Sequence, residues 1–343
     1  MMNKNVTKRF QYITKQMNYS GALLVREGRQ PSIKLSSGYR NRSEELPNEV
    51  NTRFGIASGC KLFTAIAICQ LIQLGKLSFH DDIQDYLDIE LPWTNGITVH
   101  HLLTHTSGVP DYFDEEVMGD FEELWEENPM YQFRQLCDFI PLFQQQPMKM
   151  QPGERFHYNN TGYILLGLIV EKVTGTSFTQ YIEEHIFKKA HMYHSGYFSF
   201  DSLPSQTALG YIDEPDGTWR TNMYSLPIRG GADGGAFITV DDMERLWDAL
   251  MNYELLNADY TKKLLTPHVH ENENSFYGYG IWIEKSRESI RKYHLMGYDP
   301  GVNFHSAYYP DNAITFVACS NTSNGSFHLM KELENNLRLK QLH

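Results

Sequence analysis

The sequence predicts an α+β fold in which one antiparallel sheet is built from both ends of the chain and a mainly helical lobe is inserted between them. Short runs rich in β-branched and aromatic residues lie near both termini. Apolar segments with helical spacing lie between these runs. With 343 residues, 41% of them hydrophobic, the chain is long enough for two lobes and a substantial core.

The N-terminal part of the sheet is predicted to be a hairpin. Residues 21–28 form an apolar run that ends at a glycine, and residues 32–38 form a second run after a short turn. Both runs have the length and composition of buried strands.

Helices are predicted in the middle of the chain. The clearest two cover residues 61–74 and 160–174, and each is followed by a glycine suited to end a helix. Shorter helices are predicted at 98–103 and 241–250.

The last ninety residues return to strand-like composition. Four strands are predicted at 279–284, 292–297, 302–309 and 313–320, followed by an amphipathic helix at 327–342. These patterns place residues 1–57 and 255–343 in a sheet-containing lobe and residues 58–254 in a helical lobe. The active site is expected between the two.

Composition argues against several classes of partner. The formal net charge of −12 disfavours nucleic acid, which requires clustered lysine and arginine. No stretch is long enough to span a bilayer, and the N-terminus lacks the apolar core of a signal peptide. The four cysteines show no paired spacing, so we expect no disulfide framework and a cytoplasmic protein. An extracytoplasmic location is the alternative if a leader was removed.

The negative charge is concentrated in one short segment. Residues 111–127 contain nine acidic residues and no lysine or arginine. One interpretation is a solvated loop or helix face. The other is an acidic lip of a binding site that disfavours anionic ligands.

The candidate nucleophile is Ser58, in the stretch Ser58-Gly59-Cys60-Lys61 at the start of the first long helix. Lys61 is three residues further on, so its side chain lies on the same helix face as the serine. An amine or ammonium group beside a hydroxyl activates a weak nucleophile. A helix N-terminus also offers free backbone N–H groups to an oxyanion. The spacing therefore indicates an acyl-transfer centre.

A second candidate pair, Tyr158 and Asn160, precedes an apolar helix. A phenolate at Tyr158, stabilised by neighbouring cations, would accept the serine proton, and the Asn160 amide would hold the lysine or a substrate carbonyl. The alternative is that both are loop and N-cap residues of the helix that follows. Taken alone, this pair leaves both interpretations open.

Several stretches in the same order resemble the serine β-lactamase and penicillin-binding protein superfamily. They are Thr52-Arg53-Phe54 before Ser58-x-x-Lys61, the 75–82 and 102–108 segments, Pro152-Gly153 before Tyr158-x-Asn160, and Asp299-Pro300-Gly301. The similar branch contains class C β-lactamases, low-molecular-weight DD-peptidases, D-aminopeptidases and esterase relatives. The resemblance covers residues 21–321 and implies a β-lactamase/transpeptidase-like fold, no cofactor, and a small-molecule or peptide substrate, with β-lactams among the candidates.

The resemblance also implies roles for individual residues. Ser58 matches the nucleophile that becomes acylated, and its backbone N–H matches one half of the oxyanion hole. Lys61 matches the lysine that helps to remove the serine proton, and Tyr158 matches the tyrosine that shares this role. Asn160 matches the amide that contacts both substrate and lysine.

The third motif of the family departs from its pattern here. Relatives carry Lys or His, then a small or hydroxyl residue, then Gly, but the matching triplet is Leu295-Met296-Gly297. His294 comes one residue too early, and such an offset turns a side chain to the opposite face of a strand. Either a bulge returns His294 to the substrate site, or the cation is absent. Gly297 and the N–H of Tyr298, the expected second oxyanion donor, complete the predicted substrate-binding residues.

Fourteen histidines raise the question of a metal centre. None has a His-Glu-x-x-His pattern or an evident third ligand, so we expect no metal. The close pairs are His101 with His105, His191 with His194, and His268 with His270.

The function predicted from the sequence is a serine hydrolase that forms an acyl-enzyme at Ser58 and acts on a small peptide, amide or ester. The out-of-register cation weighs against efficient β-lactam or DD-carboxypeptidase turnover. The alternative is a non-hydrolytic penicillin-binding-like protein that binds or acylates without turnover.

Overall fold

An antiparallel sheet built from both ends of the chain forms the centre of the fold. It is seen in a computed structural model that describes residues 2–336 apart from 94, 95 and 288. Within these ranges, eight strands form the main sheet and six form three separate pairs. The strands are β1 (Gly21–Glu27), β2 (Ile33–Ser37), β3 (Tyr39–Asn41), β4 (Leu46–Pro47), β5 (Phe54–Gly55), β6 (Tyr211–Asp213), β7 (Trp219–Thr221), β8 (Phe237–Ile238), β9 (Val269–Asn272), β10 (Ser275–Tyr277), β11 (Trp282–Ser286), β12 (Ser289–Asp299), β13 (Val302–Tyr309) and β14 (Ile314–Ser320).

Strand β1 joins the N-terminal and C-terminal parts of the main sheet, whose order is β2-β1-β14-β13-β12-β11-β10-β9. It forms the predicted hairpin with β2 and pairs with β14 from Gly21 opposite Ser320 to Glu27 opposite Ile314. Every residue of β14 is buried, as expected for an apolar strand that is covered on both faces. The predicted sheet from both chain ends is confirmed.

The predicted helices are present, with small shifts at their ends. The helices are α1 (Met2–Met17), α2 (Lys61–Gln73), α3 (Val99–Leu103), α4 (Leu124–Glu127), α5 (Ile140–Phe143), α6 (Asn160–Thr174), α7 (Phe178–Ile182), α8 (Val240–Met251), α9 (Ala258–Leu264) and α10 (Ser326–Asn336). Helix α6 has the predicted bounds because Asn159 caps its start and Gly175, with a φ of 69°, ends it. The last helix is seen as α10, and the rest of its predicted range lies outside the described residues. Helix α1 and strands β9 and β10 are not predicted from the sequence.

Helices cover both faces of the sheet. On one face, α1 and α10 pack against the central strands in a core that contains Phe10, Leu23 and Leu329. On the other face, α2 and α8 belong to a larger core that contains Leu24 and Phe304. Successive residues of β1 therefore face different cores, as the alternation of side chains along a strand requires.

Helix α8 packs directly on the sheet. Trp247 Nε1 donates a hydrogen bond to Ser306 Oγ of β13 at 2.8 Å. Arg26 of β1 forms ion pairs with Glu244 and Asp248. These contacts favour a lobe boundary before residue 240 rather than at 254, and the division into two lobes remains a prediction.

All four cysteines are free thiols, and Cys60, Cys69 and Cys319 are buried. In the part of the chain that the structure describes, none of the helices combines the length and the apolar composition needed to cross a bilayer.

The sheet and the turn that carries Ser58 approach each other closely at two glycines. A Cβ atom on Gly297 of β12 would collide with the backbone carbonyl oxygen of Ile56. A Cβ atom on Gly59 would lie 2.5 Å from ring carbons of Phe304 in β13. Glycine at both positions therefore allows β12 and β13 to pack closely against the Ser58 turn.

We expect Gly297→Ala to lower the free energy of unfolding, because the added methyl group must displace the backbone at Ile56. Overpacking of this kind costs about 1–3 kcal/mol. Equilibrium unfolding in urea at neutral pH measures the change.

The matched control is Gly119→Ala, because a Cβ atom at Gly119 meets no atom within 4 Å. This control is expected to keep or slightly raise the stability, since alanine restricts the unfolded chain. Equal unfolding free energies for the two variants would contradict the close contact at Gly297.

Candidate active site

Ser58 lies in a 3₁₀ turn, Ala57–Cys60, directly before α2. The regular helix begins at Lys61, so the serine is part of the turn that leads into it. Ala57 has a φ of 45°, a left-handed conformation that is uncommon for a residue with a Cβ. Strained backbone of this kind concentrates at functional sites. The half-buried Ser58 is accessible from the neighbouring pocket.

Lys61 is buried and makes three hydrogen bonds through Nζ. The acceptors are Ser58 Oγ at 2.9 Å, Asn160 Oδ1 at 2.8 Å and the backbone carbonyl oxygen of Asp233 at 2.7 Å. Two of these acceptors, the amide oxygen and the carbonyl oxygen, cannot donate. The third hydrogen-bonding position of Lys61 Nζ faces the Ser58 hydroxyl, which can both donate and accept.

Asn160 is held in one orientation by Asp111. The carboxylate of Asp111 accepts hydrogen bonds from the backbone N–H groups of Asn160 and Thr161, each at 2.9 Å, at the start of α6. The Asn160 amide nitrogen lies 3.4 Å from the same carboxylate, so the amide oxygen points to Lys61. A negative charge at a helix N-terminus is also favourable. Asp111 thus orients the amide that contacts the lysine.

Tyr158 also contacts Ser58. Burial, and then the nearby Glu115, hold the pKa of Tyr158 well above its ordinary value, although a hydrogen bond with the Ser58 side chain acts in the opposite direction. Lys61 Nζ lies 4.9 Å from the centroid of the phenol ring. This direction of the pKa favours the protonated phenol over the phenolate that one interpretation of the sequence expects.

A set of rings supports Tyr158 from behind the site. The centroid of the buried His105 imidazole lies 4.4 Å from the centroid of the Tyr158 ring. The Trp282 ring is nearly parallel to the Tyr158 ring, with 6.3 Å between their centroids. His105 Nδ1 accepts a hydrogen bond from the backbone N–H of Asn159 at 3.0 Å. His105 therefore has a packing role beside the tyrosine.

Strand β12 lines the site without the bulge that was one of the two alternatives. Residues 293–299 keep a continuous register with β13. The irregularity in β12 lies at Arg291, where its pairing with β11 shifts. The triplet 295–297 therefore follows normal strand alternation, and no bulge returns His294 to the site.

His294 lies on the face of the sheet that is covered by α1 and α10, opposite the face that meets the Ser58 turn. Its cross-strand neighbour Ala307 belongs to the core under α1 and α10. Leu295, in contrast, belongs to the larger core and occupies the position of the family's cation. Burial, and then the positive charge of Lys292, lower the pKa of His294 well below its usual value, so its ring is neutral. This placement does not support a substrate-binding role for His294, and that role stays a prediction.

Gly297 and Tyr298 lie on the part of β12 next to the Ser58 turn and the pocket. Gly297 contacts the Ser58 turn, and Tyr298 lines the pocket. Strands β12 and β13 are joined by the two-residue turn Pro300-Gly301, which closes on the pair Asp299–Val302. Because hydrogen-bonded and non-hydrogen-bonded pairs alternate, the N–H of Tyr298 points away from β13, to the open edge of β12 beside the serine turn.

The pocket beside Ser58 is aromatic and acidic. Within the described residues, no lysine, arginine or histidine lines it, and its charged groups are Glu115, Asp233 and Asp299. Its aromatic lining consists of Tyr112, Phe113, Phe121, Phe139, Phe200, Phe237 and Tyr298. The pocket therefore suits apolar groups and offers no positive side chain to an anionic one.

The acidic segment 111–127 serves several purposes. Asp111 is buried and orients α6, whereas Glu122 forms an ion pair with Arg220 at 2.6 Å. Glu115 is the acid of this segment that lines the pocket. Each of the two interpretations from the sequence thus describes only part of the segment.

Asp114, Glu116 and His157 form a compact group near Tyr158, with one potential ligand atom each within 4.8 Å of one another. Lys149 and Arg155 already pair with the two carboxylates at 2.6 Å and 2.9 Å. An ion-pair network accounts for these contacts. Among the described residues, the histidine pairs noted in the sequence form no comparable group.

Sequence reasoning missed the residues that hold the candidate catalytic side chains in place. Asp233 acts on Lys61 through its backbone carbonyl, which residue type does not reveal. Asp111 was counted only as one charge of an acidic segment. The carboxylate of Asp111 accepts the N–H groups at the start of α6, but Asp111 is 49 residues from Asn160 in sequence. A local sequence pattern therefore does not reveal this contact.

The chain is similar to known penicillin-binding proteins. Penicillin-binding protein 4* of Bacillus subtilis (strain 168) is 29% identical over 332 residues, covering 93% of this chain and 71% of that protein. A penicillin binding protein from Bacillus halodurans has a solved structure with 57% identity and a TM-score of 0.93, covering 95% of this chain and 99% of that one.

A D-amino acid amidase from Ochrobactrum anthropi shares the fold, with a TM-score of 0.83 and 19% identity over 98% of this chain and 99% of that one. The family model described as Beta-lactamase matches residues 9–338. This match confirms the resemblance inferred from the motifs. The chain therefore belongs to the Beta-lactamase family.

Proposed function

We propose that this protein is a serine hydrolase that acts on a small amide, peptide or ester through an acyl-enzyme at Ser58. The observation that carries the proposal is the set of three hydrogen bonds at Lys61 Nζ. Two of them fix the nitrogen, and the third directs it at Ser58 Oγ. A hydroxyl beside a fixed amine is the arrangement of an activated nucleophile.

In the proposed acylation step, Ser58 Oγ forms a bond to the substrate carbonyl carbon. When the substrate binds, the Lys61 ammonium gives one proton to solvent, and the resulting amine accepts the hydroxyl proton of Ser58. The carbonyl π electrons move to the oxygen, and the backbone N–H groups of Ser58 and Tyr298 stabilise the resulting negative charge.

Tyr158 then serves as a proton relay. The bond to the leaving group breaks, and its nitrogen or oxygen takes the phenol proton, which Lys61 replaces. The raised pKa of Tyr158 keeps the proton on the phenol at rest, so the phenol gives its proton as it receives one from Lys61. Water repeats the sequence on the acyl-enzyme, so that the acid is released and Ser58 is restored.

The names of the relatives support acylation chemistry, but the site departs from one that binds carboxylates. Leu295 stands where the family has a cation, and no positive side chain lines the pocket within the described residues. We therefore propose neutral or cationic amides and esters as substrates, rather than β-lactams held by their carboxylate.

We expect the wild type to hydrolyse p-nitrophenyl acetate and Ser58→Ala to lose this activity by at least about a thousandfold, because no other group replaces the nucleophile. Release of p-nitrophenol measures turnover, and intact-mass spectrometry measures the acyl adduct.

Ser202→Ala, at an exposed serine far along the chain, is the control and should keep full activity. Equal turnover by Ser58→Ala and wild type would refute the acyl-enzyme. An adduct at Ser58 that forms but is not released would instead support a binding protein without turnover.

A second prediction concerns the carboxylate of β-lactams. Benzylpenicillin is expected to acylate Ser58 more slowly than its own methyl ester, because the pocket repels an anion and lacks a cation to hold it. A time course of adduct formation by intact-mass spectrometry gives both rates.

The two ligands share one reactive ring, so the comparison isolates the carboxylate. Faster acylation by the free acid would show that a positive group reaches the ligand, which would contradict the acidic lining of the pocket. Raising the salt concentration should narrow the difference, since screening weakens the repulsion.

A further inference from the structure

Two consecutive residues, Asp111 and Tyr112, contact both of the acceptors that fix the nitrogen of Lys61 beside the serine. The Asp111 carboxylate accepts the backbone N–H of Asn160, whose amide oxygen accepts a hydrogen bond from Lys61 Nζ. The Tyr112 hydroxyl donates a hydrogen bond to the Asp233 carboxylate at 2.5 Å, and the backbone carbonyl oxygen of Asp233 accepts one from Lys61 Nζ. All five side chains are buried. One short segment therefore reaches both acceptors, although they belong to different parts of the fold.

Tyr112 is held in place by contacts that do not involve Asp233. Its backbone N–H donates a hydrogen bond to Thr161 Oγ1 at 3.0 Å, in the first turn of α6. Its ring packs against Phe139, with 5.3 Å between the ring centroids. The hydroxyl of Tyr112 is therefore a fixed donor, tied to the same helix start that carries Asn160.

The loop that contains Asp233 is rich in glycine, which gives a backbone more conformational freedom than any other residue. The glycines beside Asp233 are Gly230, Gly231, Gly234 and Gly235. Thr64 Oγ1 of α2 donates a hydrogen bond to the carbonyl oxygen of Ala232 at 2.6 Å, which anchors one side of the loop. The Tyr112 hydroxyl anchors the other side through the Asp233 carboxylate. The position of the Asp233 carbonyl thus depends on a contact outside the lysine's own hydrogen bonds.

The hydrogen bond between Tyr112 and Asp233 is costly to remove, because both groups are buried. Burial raises the pKa of the Asp233 carboxyl group, whereas the charge of Lys61 and the Tyr112 hydrogen bond act in the opposite direction. A buried carboxylate that loses its donor must move to another partner or to water. Since the carboxylate and the carbonyl belong to the same residue, this movement would carry the carbonyl away from Lys61 Nζ.

We propose that Tyr112 is a positioning residue for the reaction at Ser58. Through the Asp233 carboxylate, its hydroxyl holds the carbonyl that keeps Lys61 Nζ aimed at the serine. The proposal rests on the proposed function, because the position of Lys61 affects the rate only if Ser58 is the nucleophile. The Tyr112 ring lines the pocket, whereas its hydroxyl is engaged by Asp233. Loss of the hydroxyl should therefore slow the chemical steps and leave substrate binding unchanged.

Tyr112→Phe tests the proposal, because it removes the hydroxyl and keeps the ring that lines the pocket. Lys61 serves both acylation and deacylation in the proposed reaction, so both steps should slow together. Hydrolysis of p-nitrophenyl acetate is expected to lose about tenfold to a hundredfold in kcat, with an equal loss in kcat/KM and a KM within about twofold of the wild-type value. An unchanged kcat, or a loss confined to KM, would overturn the proposal.

Tyr309→Phe is the matched control. The buried Tyr309 hydroxyl also donates a hydrogen bond to a buried carboxylate, that of Glu334, at 2.6 Å, but it lies in the core under α1 and α10. This variant should keep the wild-type kcat and KM, even if urea unfolding shows that it loses as much stability as Tyr112→Phe does. A similar loss of kcat in the control would mean that general loosening of the fold slows the reaction, and would refute the positioning role.

A double-mutant cycle shows whether Tyr112 acts through Asp233. Asp233→Ala removes the acceptor of the hydroxyl, so adding Tyr112→Phe to it should lower kcat no further. Asp233→Asn keeps an amide oxygen as an acceptor and should retain more activity than Asp233→Ala. Losses that add up in the double variant would show that the hydroxyl acts independently of Asp233, and would overturn the proposal.

Crystal structures of the wild type and Tyr112→Phe separate the positioning role from the chemistry. In the variant, the Asp233 carbonyl oxygen is expected to lie about 1 Å further from Lys61 Nζ, a displacement large enough for a hundredfold loss of rate. An unchanged distance would refute the positioning role even if the wild type hydrolyses p-nitrophenyl acetate. A displaced carbonyl, together with a wild type that shows no such hydrolysis, would refute the hydrolase and leave the positioning of Lys61 standing.

Discussion

The buried amino group of Lys61 is the constraint on which the site depends. A charge taken out of water costs several kcal/mol unless hydrogen bonds and opposite charges compensate it. Its three acceptors come from three separate parts of the chain: the turn before α2, the start of α6 and the loop that contains Asp233. Because each acceptor is needed, the lysine holds these elements together, and the same contacts aim its nitrogen at the serine.

A second layer of contacts makes this convergence possible. Asp111 fixes the direction of the Asn160 amide, and glycines at 59 and 297 let the sheet approach the serine turn. Gly231 and Gly234 are linked by a backbone hydrogen bond of 2.8 Å, which folds the intervening loop so that the Asp233 carbonyl meets the lysine. Glycines at these positions thus leave the space in which the Lys61 side chain reaches all three of its hydrogen-bond acceptors.

The sequence predicted elements and side chains that depend on local pattern, and it failed where long-range geometry decides. Helix α6 and strand β13 have the predicted bounds because their caps and turns are local signals. The Ser58–Lys61 contact follows from helical spacing. The direction of the Tyr158 pKa does not, since it depends on burial and on Glu115, which is 43 residues earlier. For His294, the alternation of side chains along a strand predicts that its ring faces away from the Ser58 turn. The regular register of β12 with β13 is consistent with that placement.

The loss of a cation on β12 and the presence of unpaired acids across the pocket are two aspects of one electrostatic arrangement. With Leu295 buried in the core, the positive charge near the serine is that of Lys61, already surrounded by acceptors. A carboxylate ligand in this pocket would meet Glu115 and Asp299, and no lysine, arginine or histidine of the described lining opposes their charge. Since charges act strongly in a partly buried pocket, this arrangement disfavours anionic acyl donors under the proposed function.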